Sequence, residues 1–413
     1  MNATKKAHGP VRTRRWVEQR WLIDNVIRAN GVDWDQPRSI SYNAPCGPEA
    51  NGDFAAIREK VKKYADIGSA FESAGRRREA KAKAAEGDGN LVTARQNYFM
   101  AAIHYAASQW PHDENNEMNL MLNERKRACY TRYGELADHK VEAAWVPFQG
   151  KALPGWFHLP PGYSGGRLPA VWAIPGMDGF KETGVAMYGD RWLQRGIAVL
   201  TLEGPGQYES AVNGIHVSMP NWIEAGHAVM EWLRARPEVD PERIGVVGQS
   251  MGSFFGTIVA ATEPRFKACA VMATCLEPGM HTIFEEACPT FKRRFMYMSG
   301  FTDEDTFDEF CKTLTWEGHA QKIRAPYLCV AGEADELAPM AHTERLIASL
   351  EGPKQLVVYQ DCRHSVGNVP STNLGPTPAV LIADWMNARL AGKSLTSERW
   401  FVQSSGQVVR TPL

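Results

Sequence analysis

The 413-residue chain lacks a charge of one sign: Lys and Arg number 46 against 47 Asp and Glu, a formal net charge of −1. No global field therefore favours nucleic acid or an anionic membrane, and neither is expected as a partner. No run of 18 apolar residues occurs, and the opening MNATKKAHGPVRTRRW has no apolar segment of signal-peptide type. The eight cysteines (46, 129, 269, 275, 288, 311, 329 and 362) form no C-x-x-C pair, and no histidines are spaced around them. A zinc site or a disulfide framework would need other spacings, so no metal is expected. These absences point to a soluble protein of a reducing compartment, read here as cytoplasmic. Hydrophobic residues at 44% and charged residues at 23% are ordinary for a globular chain with a sizeable core.

The first 140 residues also lack a convincing strand. Helical spacing predicts helices at Arg14–Arg28, Asp53–Phe71, Leu91–Gln109 and Glu117–Leu136. The Arg76-Arg77-Arg78 to Lys83 run reads as a solvated helix face. From about residue 141 the texture changes. Val141–Phe148 and Gly155–Leu159 read as an antiparallel hairpin. Ala170–Ile174, Ala198–Leu202, Ile244–Val247, Ala268–Ala273, Tyr327–Ala331 and Leu356–Tyr359 follow as short apolar runs separated by helical stretches. That alternation predicts an eight-stranded, mostly parallel α/β sheet covered on both faces. Residues 278–318 interrupt it with aromatic-rich helical sequence, expected to insert above the sheet. Two domains are expected: 1–140, helical, and 141–413, α/β.

Gly248-Gln249-Ser250-Met251-Gly252 follows one predicted strand and precedes the apolar helical run Phe254–Ala261. A bare G-x-S-x-G arises by chance about once in seven chains of this length. Between a strand and a helix it reads as a nucleophile elbow, which projects Ser250 from the carboxyl end of the sheet. A serine hydroxyl needs a base, and the base should follow an acid in chain order. Asp335 lies in the loop after Tyr327–Ala331, with Glu333 and Glu336 as competing carboxylates, and His364 lies in the loop after the last predicted strand. The oxyanion donors are expected to be the Met251 amide and, from the Pro175–Gly179 turn, the Met177 amide, with Gly176 as the alternative. Phe284, Phe291, Phe295 and Tyr297 are expected to supply apolar walls to the substrate pocket.

Three segments carry a family resemblance: P-G-M-D-G-F-K-E at 175–182, L-E-G-P-G-Q-Y-E at 202–209, and the G-Q-S-M-G elbow. With some 140 helical residues ahead of them, they resemble the α/β-hydrolases with a large helical N-terminal cap domain. That group includes 2,6-dihydroxypseudooxynicotine hydrolase, fungal heptaketide-shortening hydrolases and FrsA-like esterases. The resemblance implies hydrolysis of a small-molecule substrate, at a carbon–carbon bond beside a ketone or at an ester, without a cofactor, by a homodimer. A non-catalytic ligand-binding member of the fold is a third reading, disfavoured by the complete Ser250, Asp335 and His364 set. Asp178 stands where the nicotine-pathway enzyme has a functional glutamate. It is expected either to orient substrate or a proton in the pocket, or to cap the following helix. Glu203, where relatives usually have aspartate, is read as a turn or packing residue.

Overall fold

The computed structural model describes residues 11–413; the start of the opening segment read above lies outside them. Helices α1 (Arg14–Asn30), α2 (Arg38–Asn43), α3 (Asn51–Lys60), α4 (Asp66–Gly87), α5 (Leu91–Gln109) and α6 (Glu117–Leu136) precede the first strand. The helix expected over Asp53–Phe71 is broken in two. The Asp66 carboxylate accepts the Lys62 and Lys63 amides, and Asp24 accepts the Tyr64 amide, so the backbone groups that would continue α3 are satisfied by side chains instead. Helices α4 and α5 form an antiparallel hairpin, and α5 is buried along almost all of its second half. The run at 76–83 is not wholly solvated: Arg78 turns inward to Asp53 and Asn97.

A single ten-stranded sheet follows. Its strands are β1 (Val141–Phe148), β2 (Lys151–His158), β3 (Leu168–Ile174), β4 (Ala198–Leu202), β5 (Val239–Gln249), β6 (Ala268–Met272), β7 (Tyr327–Gly332), β8 (Lys354–Tyr359), β9 (Glu398–Val402) and β10 (Val408–Pro412), in the spatial order β1-β2-β4-β3-β5-β6-β7-β8-β9-β10. The eight expected strands are all present, and β9 and β10 extend the sheet at its far edge. Their half-exposed, charge-bearing sequence gave no apolar run to read. Strands β1, β2 and β4 pair antiparallel, β4 through β9 pair parallel, and β10 returns antiparallel. The β1–β2 turn falls on Gln149-Gly150, both at positive φ, so β2 begins four residues before the expected Gly155.

The chain passes from β3 outward to β4, then back across to β5. This reversal of strand order opens a crevice at the carboxyl ends of β3 and β5, the usual place for a ligand in an open α/β sheet. Helices α8 (Met219–Arg234) and α9 (Met251–Thr262) cover one face, with Trp222 stacked on Phe255 at 4.3 Å; α7 is the short turn Tyr208–Val212 before them. The late helix Pro378–Leu390 covers the other face through Ile382, Trp385 and Met386. In the expected insertion, α10 (Pro289–Ser299) and α11 (Glu304–Cys311) lie against α1: Arg15 donates to the carbonyls of Phe284 and Ala287, and Arg293 lies 3.8 Å from the Trp16 ring.

A buried ionic network joins α6 to the segment after β3. Lys181 Nζ lies 2.7 Å from Glu209, 3.0 Å from Glu203 and 3.2 Å from Glu182, while Lys126 faces Glu203 at 3.7 Å. Glu203 is therefore a packing residue of a specific kind, a buried acceptor that also takes the Lys181 and Glu209 amides. Burial pulls the Lys181 ammonium toward neutrality, but the three carboxylates outweigh it and hold its pKa well above the usual lysine value. Burial likewise opposes ionisation of Glu209, yet Lys181 and Lys126 bring it down to about 2 from an ordinary 4.5. Stability from that depressed pKa is present above pH 4.5 and lost as pH falls toward 2. Lys181→Met should lower the unfolding free energy by ~3–5 kcal/mol at pH 7, because it strands buried carboxylates. Urea denaturation should find that difference shrinking as pH falls from 4.5 toward 2, because the stability that Lys181 lends to ionised Glu209 is lost over that range.

Candidate active site

Ser250 occupies the turn between β5 and α9 with φ 54° and ψ −126°. Its neighbours explain why only glycine flanks it. A Cβ on Gly248 would stand 2.1 Å from the Gly252 carbonyl oxygen, and one on Gly252 would stand 2.5 Å from that of Ile174. With strand and helix pressed this close, the serine backbone is held in a conformation L-residues rarely adopt, and its side chain is thrust out of the sheet.

Ser250 Oγ lies 2.8 Å from His364 Nε2, and His364 Nδ1 lies 3.0 and 3.1 Å from the two Asp335 oxygens. The amides of Leu337 and Ala338 donate to Asp335 Oδ1 and aim the carboxylate at the ring. The competing acids do other work: Glu336 accepts the His364 amide and Glu333 accepts the Asp361 amide. Burial alone would depress the His364 pKa, but the Asp335 carboxylate prevails and raises it well above the usual imidazole value. The arrangement stabilises an imidazolium, the charge state a general base passes through.

The turn after β3 lies directly against the serine, since a Cβ on Gly176 would meet Ser250 Cβ at 2.9 Å. Its carbonyls are held away from the site. Gln207 Nε2 donates to the Pro175 oxygen at 2.6 Å and to the Gly176 oxygen at 3.4 Å, and the Gln207 oxygen accepts the Gly204 amide. In a trans peptide the N–H points opposite to the C=O, so the amides of Gly176 and Met177 face away from Gln207. Met177 and Met251 both line the cavity. The L-E-G-P-G-Q segment thus has a physical role that the sequence reading used only as a mark of resemblance.

Asp178 neither caps a helix nor stands free in the pocket. Trp110 Nε1 donates to its Oδ1 and Arg38 to its Oδ2, each at 2.6 Å, and its carbonyl accepts the hydroxyls of Tyr42 and Tyr208, each at 3.0 Å. Its side chain remains 20% exposed, toward a cavity of about 430 Å³ that also reaches Ser250 and His364. The segment Gln36–Pro45 and the residues Met280, Ile283 and Phe291 complete that wall. Phe291 is therefore placed as expected, but Phe284 is not. Phe284 packs on Phe295 and Phe307 at 5.0 and 5.3 Å and belongs to the core of the insertion. Phe295 shares that core, and Tyr297 is turned to Asn115 and Asn119. An aromatic-rich segment signals burial without saying whether the rings meet ligand or one another. Cys275, which the sequence reading passed over, also lines the cavity, its Sγ 3.7 Å from Ser250 Oγ.

The model of the FrsA-like esterase family matches residues 61–309, so the chain belongs to that family of α/β-hydrolases. Curated relatives include the alpha/beta hydrolase xenA of Xenoacremonium sinensis, 30% identical over 276 residues that cover 63% of each chain. The alpha/beta hydrolase gkaG of Penicillium citrinum is 30% identical over 292 residues, 67% of this chain and 66% of that one. The matched part spans just under two thirds of the length of these relatives. Among solved structures, 2,6-dihydroxy-pseudo-oxynicotine hydrolase is similar with a TM-score of 0.73 at 23% identity, over 86% of this chain and 97% of that one. AbyA5 follows with a TM-score of 0.62 at 16% identity, over 86% and 95%. These structures share the α/β-hydrolase fold with a helical region. No described helix is long and apolar enough to cross a membrane, and no described cluster of His, Cys, Asp and Glu has the makings of a metal site.

A general base must be neutral, so with His364 in that role its raised pKa would place the acid limb of kcat/KM above the ordinary imidazole value of about 6.5. Asp335→Asn should cut kcat by up to ~10⁴-fold. It should also shift that limb to lower pH, because the main influence opposing burial of the imidazole is then removed. A pH–rate profile of wild type and variant checks both; an unmoved limb would separate Asp335 from the base.

Proposed function

We propose that the protein is a serine hydrolase in which Ser250 attacks a carbonyl carbon and His364 takes the hydroxyl proton. Asp335 orients the imidazole and balances its charge, and the Met251 and Met177 amides receive the oxyanion. His364 then protonates the departing group, and the acyl-enzyme is released by a water that the same imidazole activates. No step calls on a metal or an organic cofactor. The observation that carries the reading is the hydrogen-bonded run from Ser250 through His364 to Asp335, opening on one cavity of about 430 Å³. That complete run also weighs against a ligand-binding protein without chemistry.

The bond we favour is a carbon–carbon bond beside a ketone in an aryl or polyketide-like compound. Cleavage there expels a carbanion that must be delocalised as an enolate, and Asp178 supports this reading as a carboxylate in the cavity wall beside the oxyanion turn. It is suited to accept the hydroxyl of an enol or phenol. A carboxylesterase is the second reading. It is favoured by the fact that both Asp178 oxygens already accept hydrogen bonds, from Arg38 and Trp110, which leaves less capacity for a leaving carbon. An alkoxide or phenoxide needs little such help.

Ser250→Ala should leave the fold intact and lower turnover by more than ~10³-fold, and a fluorophosphonate should label Ser250 in the wild type but not in His364→Ala. Labelling of another serine would remove Ser250 from the scheme. A panel of aryl 1,3-diketones and p-nitrophenyl acyl esters separates the two bond types. With a carbon–carbon hydrolase, Asp178→Asn costs far more on the diketone than on the ester; with an esterase, the losses match and the diketone scarcely reacts.

A further inference from the structure

The oxyanion turn belongs to the α/β part of the chain, but three of the five side chains that hold it, Arg38, Tyr42 and Trp110 beside Gln207 and Tyr208, come from the helical region. Arg38 opens α2 and is 3% exposed. Its guanidinium lies 3.8 Å from the Trp110 ring and 5.2 Å from the Trp34 ring, so two indoles fix its plane. On the edge of that plane Arg38 binds Asp35 and, at 2.6 Å, Asp178 Oδ2. Trp110, directly after α5, gives its indole N–H to the other Asp178 oxygen, meets Trp34 edge-on at 5.6 Å and packs tilted on Tyr64 at 5.7 Å. The Asp178 carboxylate is thus gripped at both oxygens by a rigid aromatic frame. Its own carbonyl is gripped by Tyr42 from α2 and by Tyr208 from the core. Asp178 is one residue past Met177, so wherever the carboxylate is pinned, the Met177 peptide follows.

We propose that Arg38 and Trp110 are positioning residues: through Asp178 they set the peptide planes of the Pro175–Gly179 turn against Ser250, so that the helical region completes the oxyanion hole for every substrate. This inference rests on the reading of Ser250 as nucleophile. It differs from a role in which Arg38, which also lines the cavity, simply touches substrate. A contact of that kind would alter KM for substrates long enough to reach it. A positioning role lowers kcat even for a substrate that fills only the space beside Ser250, because oxyanion stabilisation is realised in the transition state.

The test uses the full chain and two small probes, p-nitrophenyl acetate and a short-chain fluorophosphonate. Arg38→Met and Trp110→Phe are each expected to lower kcat and the rate of Ser250 labelling, by ~10²-fold for Arg38→Met if the loss equals that of one oxyanion donor, with KM for the acetate within about threefold of wild type. Arg38→Lys, which keeps the charge but not the planar fork, is expected to recover part of the loss. Because Arg38→Met strands the carboxylates of both Asp35 and Asp178, the triple variant Arg38→Met, Asp35→Asn, Asp178→Leu supplies a folded control with no unpaired charge. It is expected to remain as slow as Arg38→Met while regaining thermal stability. A triple variant that labels at the wild-type rate would overturn the inference, as would a loss confined to KM of bulky substrates. Failure of the wild type to label at Ser250 would instead overturn the nucleophile assignment on which the inference stands.

Discussion

The close approach of α9 to the end of β5 at Gly248, and to the end of β3 at Gly252, governs the rest of the molecule. Two backbones pass so near each other that a single methyl group at either glycine would collide with a carbonyl oxygen. That contact forces Ser250 to a φ of 54°, lifts its hydroxyl off the sheet, and seats the turn after β3 within reach of it. The strain is local, and the surrounding core holds it: β5 is flanked by β3 and β6, and Phe254 and Phe255 anchor α9 on the sheet. The imidazole and the carboxylate then need only loops of modest length at the ends of β8 and β7. Parallel neighbours in a sheet deliver their carboxyl ends to the same rim.

Around that rim two kinds of electrostatics serve different ends. Behind the turn after β3, Lys181, Lys126, Glu182, Glu203 and Glu209 form a dry network that fastens α6 to the core. In front of it, Arg38, Trp110 and Asp178 tie the turn itself to α2 and α5. The apolar core makes the same connection, because Trp156, Phe180 and Tyr208 pack into the helical cluster rather than under the sheet. A region that reads as a separate helical domain along the chain shares its interior with the α/β part.

What was legible in the sequence follows from where the information lies. That Ser250, Asp335 and His364 meet was legible because each sits in a loop whose place is set by a strand just before it, and because their order along the chain is fixed by the sheet. Asp335 could be preferred to Glu333 and Glu336, but only the coordinates show those two holding backbone amides. Arg38 and Trp110 carried no such signal. They meet Asp178 across 140 and 68 residues of chain, and an arginine and a tryptophan in helical sequence look like any others. Phe284 was misplaced for a related reason, since rings facing a cavity and rings facing each other share one pattern of residues. The strands β9 and β10 escaped notice because edge strands need neither alternation nor an apolar run.

Helix α5 has a consequence for how the chain reaches its native state. Buried nearly all round in its second half, it depends on α4 and α6 to enclose it, and both are its immediate neighbours in sequence. Contacts of such short span close quickly, whereas the central sheet must wait for β5, some seventy residues beyond β3, to enter between β3 and β6. During synthesis the helical bundle leaves the ribosome first and consolidates first, with the surface meant for Trp156, Phe180 and Tyr208 still bare. The same surface that later supports the turn after β3 is, for that interval, the sticky face of a nascent chain.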